Sequence, residues 1–451
     1  MSFKQIQTLT MPFDTDQQTL LDLSLTGING HQAISELFKP VTIGGKIALK
    51  ELFDHPLNDV DIIVQRQRAI RFLQQEQPKV KLDKEETDFI EHYLNSFNRE
   101  ETFSKIRAYK NQFKNWIKPS SQHYIVSRGV RLLIYQLHHI TDTLEAYTNL
   151  LPVHIAELQL LSKGLVALIR PLLVFKSKAG RNFNAVELEE LDFLFRYSKK
   201  HEVKQYLLAL YQLDVFMAAA KTGDDLNFCY PEIILSDEPE LRLNGFFHPF
   251  VKEPVVNNLE FNYQQNLCFI TGANMAGKST LLKSIGICTY LAHLGFPAPA
   301  ASMYTTVFNG MFTTINLADN IVAGHSHFYS EVLRIKHVAL QIGTIKKILI
   351  LFDELFRGTN VKDAHDASLA IIKAFAQVKT SLFIVSTHIV EVAEELKVQE
   401  NIFFKCLGTT MQRDKAVYNY QLKDGISNER LGMRIIEDEG LVDIITAQVG
   451  N

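Results

Sequence analysis

Thr271-Gly-Ala-Asn-Met-Ala-Gly-Lys-Ser-Thr280 decides how the rest of the chain is read. Gly272, Gly277, Lys278 and Ser279 stand at the spacing G-x-x-x-x-G-K-[ST], that of a loop that wraps phosphates. Glycine permits the backbone angles and the close approach such a loop needs. Lys278 is placed to neutralise the outer phosphates, and the Ser279 hydroxyl to hold Mg²⁺. The run Asn266-Leu-Cys-Phe-Ile-Thr271 before it predicts a buried strand. Ser279-Thr-Leu-Leu-Lys-Ser-Ile-Gly286 after it predicts the start of a helix, whose N-terminus favours anions.

Hydrolysis needs more than a phosphate loop. Ile348-Leu-Ile-Leu-Phe-Asp353-Glu354 runs an apolar strand into two carboxylates. Asp353 is placed to coordinate Mg²⁺, and Glu354 to orient and polarise an attacking water. A further strand, Leu382-Phe-Ile-Val-Ser-Thr387-His388, ends in a histidine positioned to sense the outer phosphate. The chemistry expected of this set is ATP hydrolysis with Mg²⁺. Glu354 and His388 are the catalytic candidates, Ser279 and Asp353 the metal ligands.

Outward from these motifs, the chain has two textures. From about residue 15 to 235 it is rich in Leu, Gln and Lys with helical periodicity, and Tyr206 to Ala220 is apolar nearly all round. From about 240, short β-rich runs alternate with helical ones: 267–271, 305–309, 348–352, 381–386 and 417–422. Such alternation predicts a parallel or mixed sheet with helices on its faces. The join falls near Asn227 to Pro239. A length of 451 residues allows two or three domains. A net charge of −3 gives no global pull toward nucleic acid, so any such surface is local. The four cysteines form no C-x-x-C pair, which argues against a zinc site or disulfide framework and fits a reducing cytosol. The apolar stretch 150–175 is broken by His154, Glu157, Lys163 and Arg170 and reads as buried helix, not a membrane span. A cytoplasmic location with no membrane contact is expected.

The motifs in order resemble the MutS family of DNA mismatch-repair ATPases, a branch of the ABC-type ATPases. Residues 271–280 resemble TGPNMGGKST, and Gly324-His-Ser-His-Phe-Tyr-Ser-Glu331 resembles G-x-S-T-F-x-x-E. Asp353-Glu-Leu-Phe-Arg-Gly-Thr359 resembles D-E-x-G-R-G-T, Ser386-Thr-His388 the (A/S)-T-H switch, and His248-Pro249 the H-P that opens the ATPase domain. Thr42-Ile-Gly-Gly45, His55-Pro-Leu-Asn-Asp59 and Arg66-Gln67 resemble the family's helical core. The resemblance implies a tail over 1–15, a helical core or lever domain over 16–235, and an ABC-type P-loop ATPase domain over 240–451 with a mixed, mainly parallel sheet. It implies nucleotide contacts from Gly272, Ala273, Asn274, Met275, Ala276, Gly277, Lys278, Ser279 and Thr280, and from His248 and Val255. It also implies an ATP-dependent homodimer in which Ser326 touches the outer phosphate bound by the partner chain. No counterpart of the family's mismatch-reading and connector domains is expected in this chain. That predicts action on branched or distorted DNA, and leaves room for a heteromeric partner carrying the missing domains. Three positions depart from the family pattern. Phe356 replaces a glycine, His327 a threonine, and Val255 sits where an aromatic side chain often faces adenine.

Lys105-Ile-Arg-Ala-Tyr-Lys-Asn-Gln-Phe-Lys-Asn-Trp-Ile-Lys118 is the strongest local basic patch. Lys105, Arg107, Lys110, Lys114 and Lys118 suit phosphates, and the interleaved aromatics suit unpaired bases. Helical spacing favours another reading, an amphipathic helix with Ile106, Tyr109, Phe113, Trp116 and Ile117 turned inward. Two functions follow: a DNA-handling ATPase, or an ATP-gated module that binds protein or RNA.

Overall fold

The computed structural model describes residues 13–27, 32–96, 104–106, 108–110, 120–172, 183–261, 264–273, 275–315, 327–356, 358–412, 415–427, 440 and 444. In chain order the principal helices are α1 (Gln17–Asp22), α2 (Ile43–Asp54), α3 (Val60–Glu76), α4 (Lys84–Asn95), α5 (Ser121–Glu145) and α6 (Val153–Ile169). They continue with α7 (Ala185–Phe193), α8 (Lys200–Asp225), α9 (Lys278–His293), α10 (His327–Thr344), α11 (Val361–Ala376) and α12 (Val390–Leu396). The strands are β1 (Glu232–Ile234), β2 (Leu241–Phe246), β3 (Asn257–Phe261), β4 (Leu267–Thr271), β5 (Ser302–Thr306), β6 (Gly310–Thr314), β7 (Ile348–Asp353), β8 (Leu382–Thr387), β9 (Ile402–Gln412) and β10 (Lys415–Asp424). None of the described helices is long and apolar enough to cross a membrane.

The chain divides into two compact units, Leu37–Asp54 with Gln65–Asp224, and the remainder. The boundary differs from that read in the sequence, because residues 13–36 and 55–64 go with the sheets. The cause is a set of buried polar ties. Asp14 bridges Gly310 in parallel. Asp22 accepts from Thr313 Oγ1 at 2.7 Å and from the Ile315 N–H at 2.8 Å. Asp16 caps α1 through the Thr19 N–H at 2.9 Å and pairs with Arg334.

In the sheet unit, six strands run in the order β10-β9-β4-β8-β7-β6, all parallel except β10. β4, β7 and β8 are buried at every residue. Covered on both faces, they need continuous apolar runs instead of alternation. The register sets Thr271 beside Thr387 and Asp353 beside Ser386, so the carboxyl ends of the three strands meet. A second sheet, β1-β5-β2-β3, is mixed.

The helical unit is organised on α8, whose Tyr206, Leu210, Phe216 and Ala219 are buried. Asp214, also on α8, caps α2 from far along the chain. It accepts from the N–H groups of Val41 at 2.9 Å and Thr42 at 2.8 Å, and from Thr42 Oγ1 at 2.7 Å. Gly44 and Gly45 allow the close approach. A Cβ on Gly44 would lie 2.4 Å from the Tyr211 ring, and one on Gly45 2.3 Å from Asp214 Oδ2.

Buried histidines give the fold a pH dependence. His293 Nε2 accepts the Phe308 N–H at 3.3 Å, so Nδ1 carries the proton and donates to Leu57 O at 2.7 Å. Burial pushes this ring from its ordinary 6.5 down to about 4. Burial, and then Arg66, push His154 to about 4 as well. Between pH 6.5 and 4 the unfolded chain therefore binds more protons than the folded one. Their contribution to stability is complete above pH 6.5 and is lost as pH falls toward 4. The unfolding free energy from urea denaturation, measured from pH 7 downward, should fall with a limiting slope of about 1.4 kcal/mol per pH unit for each histidine, and the midpoint should fall with it. A midpoint unchanged over that window would contradict this assignment.

Candidate functional site

The site is built at the carboxyl ends of β4, β7 and β8. The chain leaves β4 at Thr271, turns through Gly272 to Gly277 and enters α9 at Lys278. Gly277 has φ of 94°, in the left-handed region, and Met275 has φ of 71°. A Cβ on Gly277 would stand 3.1 Å from Tyr420 Cδ1, so glycine answers both the turn and the close neighbour.

Lys278 is buried at the first turn of α9. Its Nζ donates to Gly272 O at 2.8 Å and Ala273 O at 3.1 Å, and lies 3.4 Å from Glu354 Oε1. The ammonium is thus held at the mouth of the loop by carbonyls and a single carboxylate. Bound phosphates would compete with Glu354 for it.

Asp353 closes β7. One of its oxygens accepts from the hydroxyl of Ser279 in α9, and the other from the hydroxyl of Ser386 in β8. Glu354 follows with φ of 54°, a left-handed conformation fixed by its N–H donating to Ser386 O at 2.9 Å. The turn aims its side chain back across the loop, with Oε1 3.6 Å from His388 Nδ1. His388 itself is half exposed just past β8. Lys278, Ser279, Asp353, Glu354 and His388, separated by up to 110 positions in the sequence, form one cluster.

The remaining expected residues lie around it. His248 Nδ1 accepts the Phe250 N–H at 3.3 Å. Burial, and then Lys283, push the His248 ring down to about 4, so it is neutral near pH 7. Val255 is exposed. Its carbonyl accepts from Asn257 Nδ2 at 3.2 Å, and the same amide group donates to Tyr420 O at 3.0 Å. Ala276 is buried, while Thr280 is exposed on α9 with its carbonyl accepting from Ser284. Asn274 and Ser326 lie outside the described residues, as does the side chain of His327.

Sequence reasoning left two neighbours without a role. Ser386 was visible only as a letter in a short motif, and its hydroxyl on Asp353 follows from the β7–β8 register. Tyr420 reaches Gly277 because β10 has an irregularity between Tyr418 and Leu422, with φ of 53° at Tyr420. Phe356 also has a structural account. At φ of 63° it is buried, with its ring 5.6 Å from Phe328 of α10 in the same chain.

In the basic patch, Lys105 and Lys110 are exposed, whereas Arg107, Lys114 and Lys118 lie outside the described residues. The inward placement expected for Ile106 and Tyr109 is overturned, since they are 72% and 61% exposed. Among the described residues of that turn, Ala108 is the buried one.

Residues 268–449 match the family described as MutS domain V. Over 230 residues the chain is 30% identical to a DNA mismatch repair protein MutS of Anaplasma phagocytophilum, a match covering 50% of this chain and 28% of that protein. It is 29% identical over 268 residues to the MutS of Geobacillus kaustophilus, covering 56% and 29%. It is 30% identical over 265 residues to that of Brevibacillus brevis, covering 55% and 30%. Each match spans less than a third of the curated relative.

Proposed function

We propose that this chain, whose residues 268–449 match MutS domain V, is an ATPase of the MutS type that uses ATP hydrolysis to switch a dimeric clamp on DNA. The observation that carries the reading is the cluster of Lys278, Ser279, Asp353, Glu354 and His388 at the ends of three parallel strands. The residues present fit a Mg²⁺–nucleotide. Ser279 and Asp353 put a hydroxyl and a carboxylate side by side, the hard oxygen donors this ion takes. Mg²⁺ bound there would supply charge neutralisation on the phosphates.

Lys278 and the N–H groups at the start of α9 hold the phosphates. Glu354 orients the attacking water and takes its proton, and His388 fixes the Glu354 carboxylate and meets the outer phosphate. Ser386 holds Asp353 in place. Val255 and His248 border the base. Ser326 of one subunit completes the site of the other, which makes closure of the dimer depend on nucleotide. Such a switch works only if ATP binds the closed form more tightly than the open one. The relatives are named for DNA mismatch repair, and Lys105 and Lys110 offer exposed charge for phosphates. Branched or distorted DNA is the proposed target.

The test is ATP turnover by the purified chain, with its mass and its affinity for matched, mismatched and branched DNA measured in ADP and in ATP. The expected result is Mg²⁺-dependent turnover, an ATP-induced dimer and DNA affinity that changes with nucleotide. Turnover with indifference to every DNA would overturn the DNA part, and an ATP-gated protein or RNA module would replace it.

A further inference from the structure

From Thr102 to Thr141 the sequence contains no Asp or Glu. In a chain of net charge −3, that span carries the basic residues of 105–118 and then Arg128 and Arg131. The structure shows how the second half of the span is displayed. α5 buries Val126, Val130, Leu133, Leu137 and Ile140. Its opposite face exposes Tyr124, Arg128, Arg131, Tyr135 and His138. These five recur at the helical interval, so they form one stripe. Tyr124 and Tyr135 are each 56% exposed, so both rings present a face to solvent beside the arginines.

The stripe is ordered in advance. Arg128 lies over the Phe89 ring at 4.5 Å, and its Nη1 donates to the Tyr124 hydroxyl at 2.6 Å. Tyr135 stacks on His139 with 6° between the ring planes. A neighbouring helix, α4, meets α5 where Gln136 Nε2 donates to Thr87 Oγ1 at 3.2 Å. Its Glu85 and Glu86 stand near that end, and Asp88 and Glu91 lie close to Tyr211, whose hydroxyl is pushed up by burial and by them. The stretch from Tyr124 to Arg131 has no acid of its own helix within it.

We propose that this face of α5, outside the nucleotide site, binds single-stranded DNA, with Tyr124 and Tyr135 stacking on bases and Arg128 and Arg131 on the backbone. A duplex keeps its base faces stacked inside and gives such rings nothing to cover, whereas a single strand offers a π-face at each base. The two rings are separated by about 16 Å along the helix, a span for a strand of several nucleotides. The inference rests on the nucleic-acid part of the proposed function and not on the ATPase part.

Fluorescence anisotropy of labelled oligo-dT, oligo-U and a duplex of equal length, at several salt concentrations, tests it, with ATP turnover followed in the same preparations. The single strands should bind more tightly than the duplex. Each Tyr→Ala change at 124 or 135 should weaken them about tenfold, and Tyr→Phe should preserve binding. Arg128→Gln with Arg131→Gln should reduce the slope of log affinity against log salt by about 1.4. Oligo-dT should bind at least as tightly as oligo-U, and a clear preference for oligo-U would overturn the choice of DNA. Equal binding of duplex with no loss in the tyrosine variants overturns the proposal, as does the absence of binding to any strand. Single-strand binding by a preparation without ATP turnover would sink the ATPase reading and support this one.

Discussion

Glu354→Gln lowers ATP turnover by roughly two to three orders of magnitude, the range for loss of a positioned general base. Nucleotide affinity should stay within about threefold of the parent or rise. The geometry separates the two effects. Glu354 Oε1 is 3.4 Å from Lys278 Nζ and 3.6 Å from His388 Nδ1. Glutamine keeps the shape and an oxygen for His388, but it cannot accept the proton of the attacking water. It also removes the carboxylate that, among the described residues, competes with phosphate for Lys278. Lys278→Ala acts on the other step, since it removes the phosphate contact and should abolish binding. Single-turnover hydrolysis, together with equilibrium binding of a non-hydrolysable ATP analogue, separates the variants. If Glu354→Gln turned over ATP within fivefold of the parent, another group would be the base and the role of Glu354 would be limited to holding Lys278.

Residues 348–354 show why this half of the molecule was legible. A parallel strand covered on both faces must be apolar throughout, so the run into Asp353 and Glu354 announced both the strand and the position of its carboxylates. The phosphate loop was legible for a similar reason, because its glycines and lysine answer a local requirement. β2, β3 and β6 gave weaker signals. They are short, and β6 is fixed by neighbours distant in sequence, Asp14 and β7. The membership of residues 13–36 in the sheet unit was illegible on the same ground. Nothing local in Asp16 or Asp22 tells that their partners are Arg334, Thr313 and Ile315. Ile106 and Tyr109 show a different limit. Helical spacing says that apolar side chains share a face, but not that another element covers that face.

Asp214→Ala is expected to destabilise the helical unit by about 3–5 kcal/mol, a large part of a typical domain's total. Asp214 is 2% exposed and accepts from Val41 N, Thr42 N and Thr42 Oγ1. Alanine leaves these donors without their acceptor, each at a cost of about 1–3 kcal/mol where water does not reach, and it deletes the cap of α2. The Thr42 hydroxyl also accepts the Gly45 N–H at 2.9 Å, so the loss passes into the first turn. Gly45→Ala fails for the converse reason, because its methyl would meet Asp214 Oδ2 at 2.3 Å. The two changes must therefore be non-additive. Removing the carboxylate opens the space that the methyl requires, although Pro40 Cβ at 2.9 Å still crowds it. In urea denaturation, adding Gly45→Ala to the Asp214→Ala background should cost at least 1 kcal/mol less than adding it to the parent. Strict additivity would mean that Asp214 and Gly45 do not share this contact, and that the approach of α2 to α8 is set by Gly44 against Tyr211 alone.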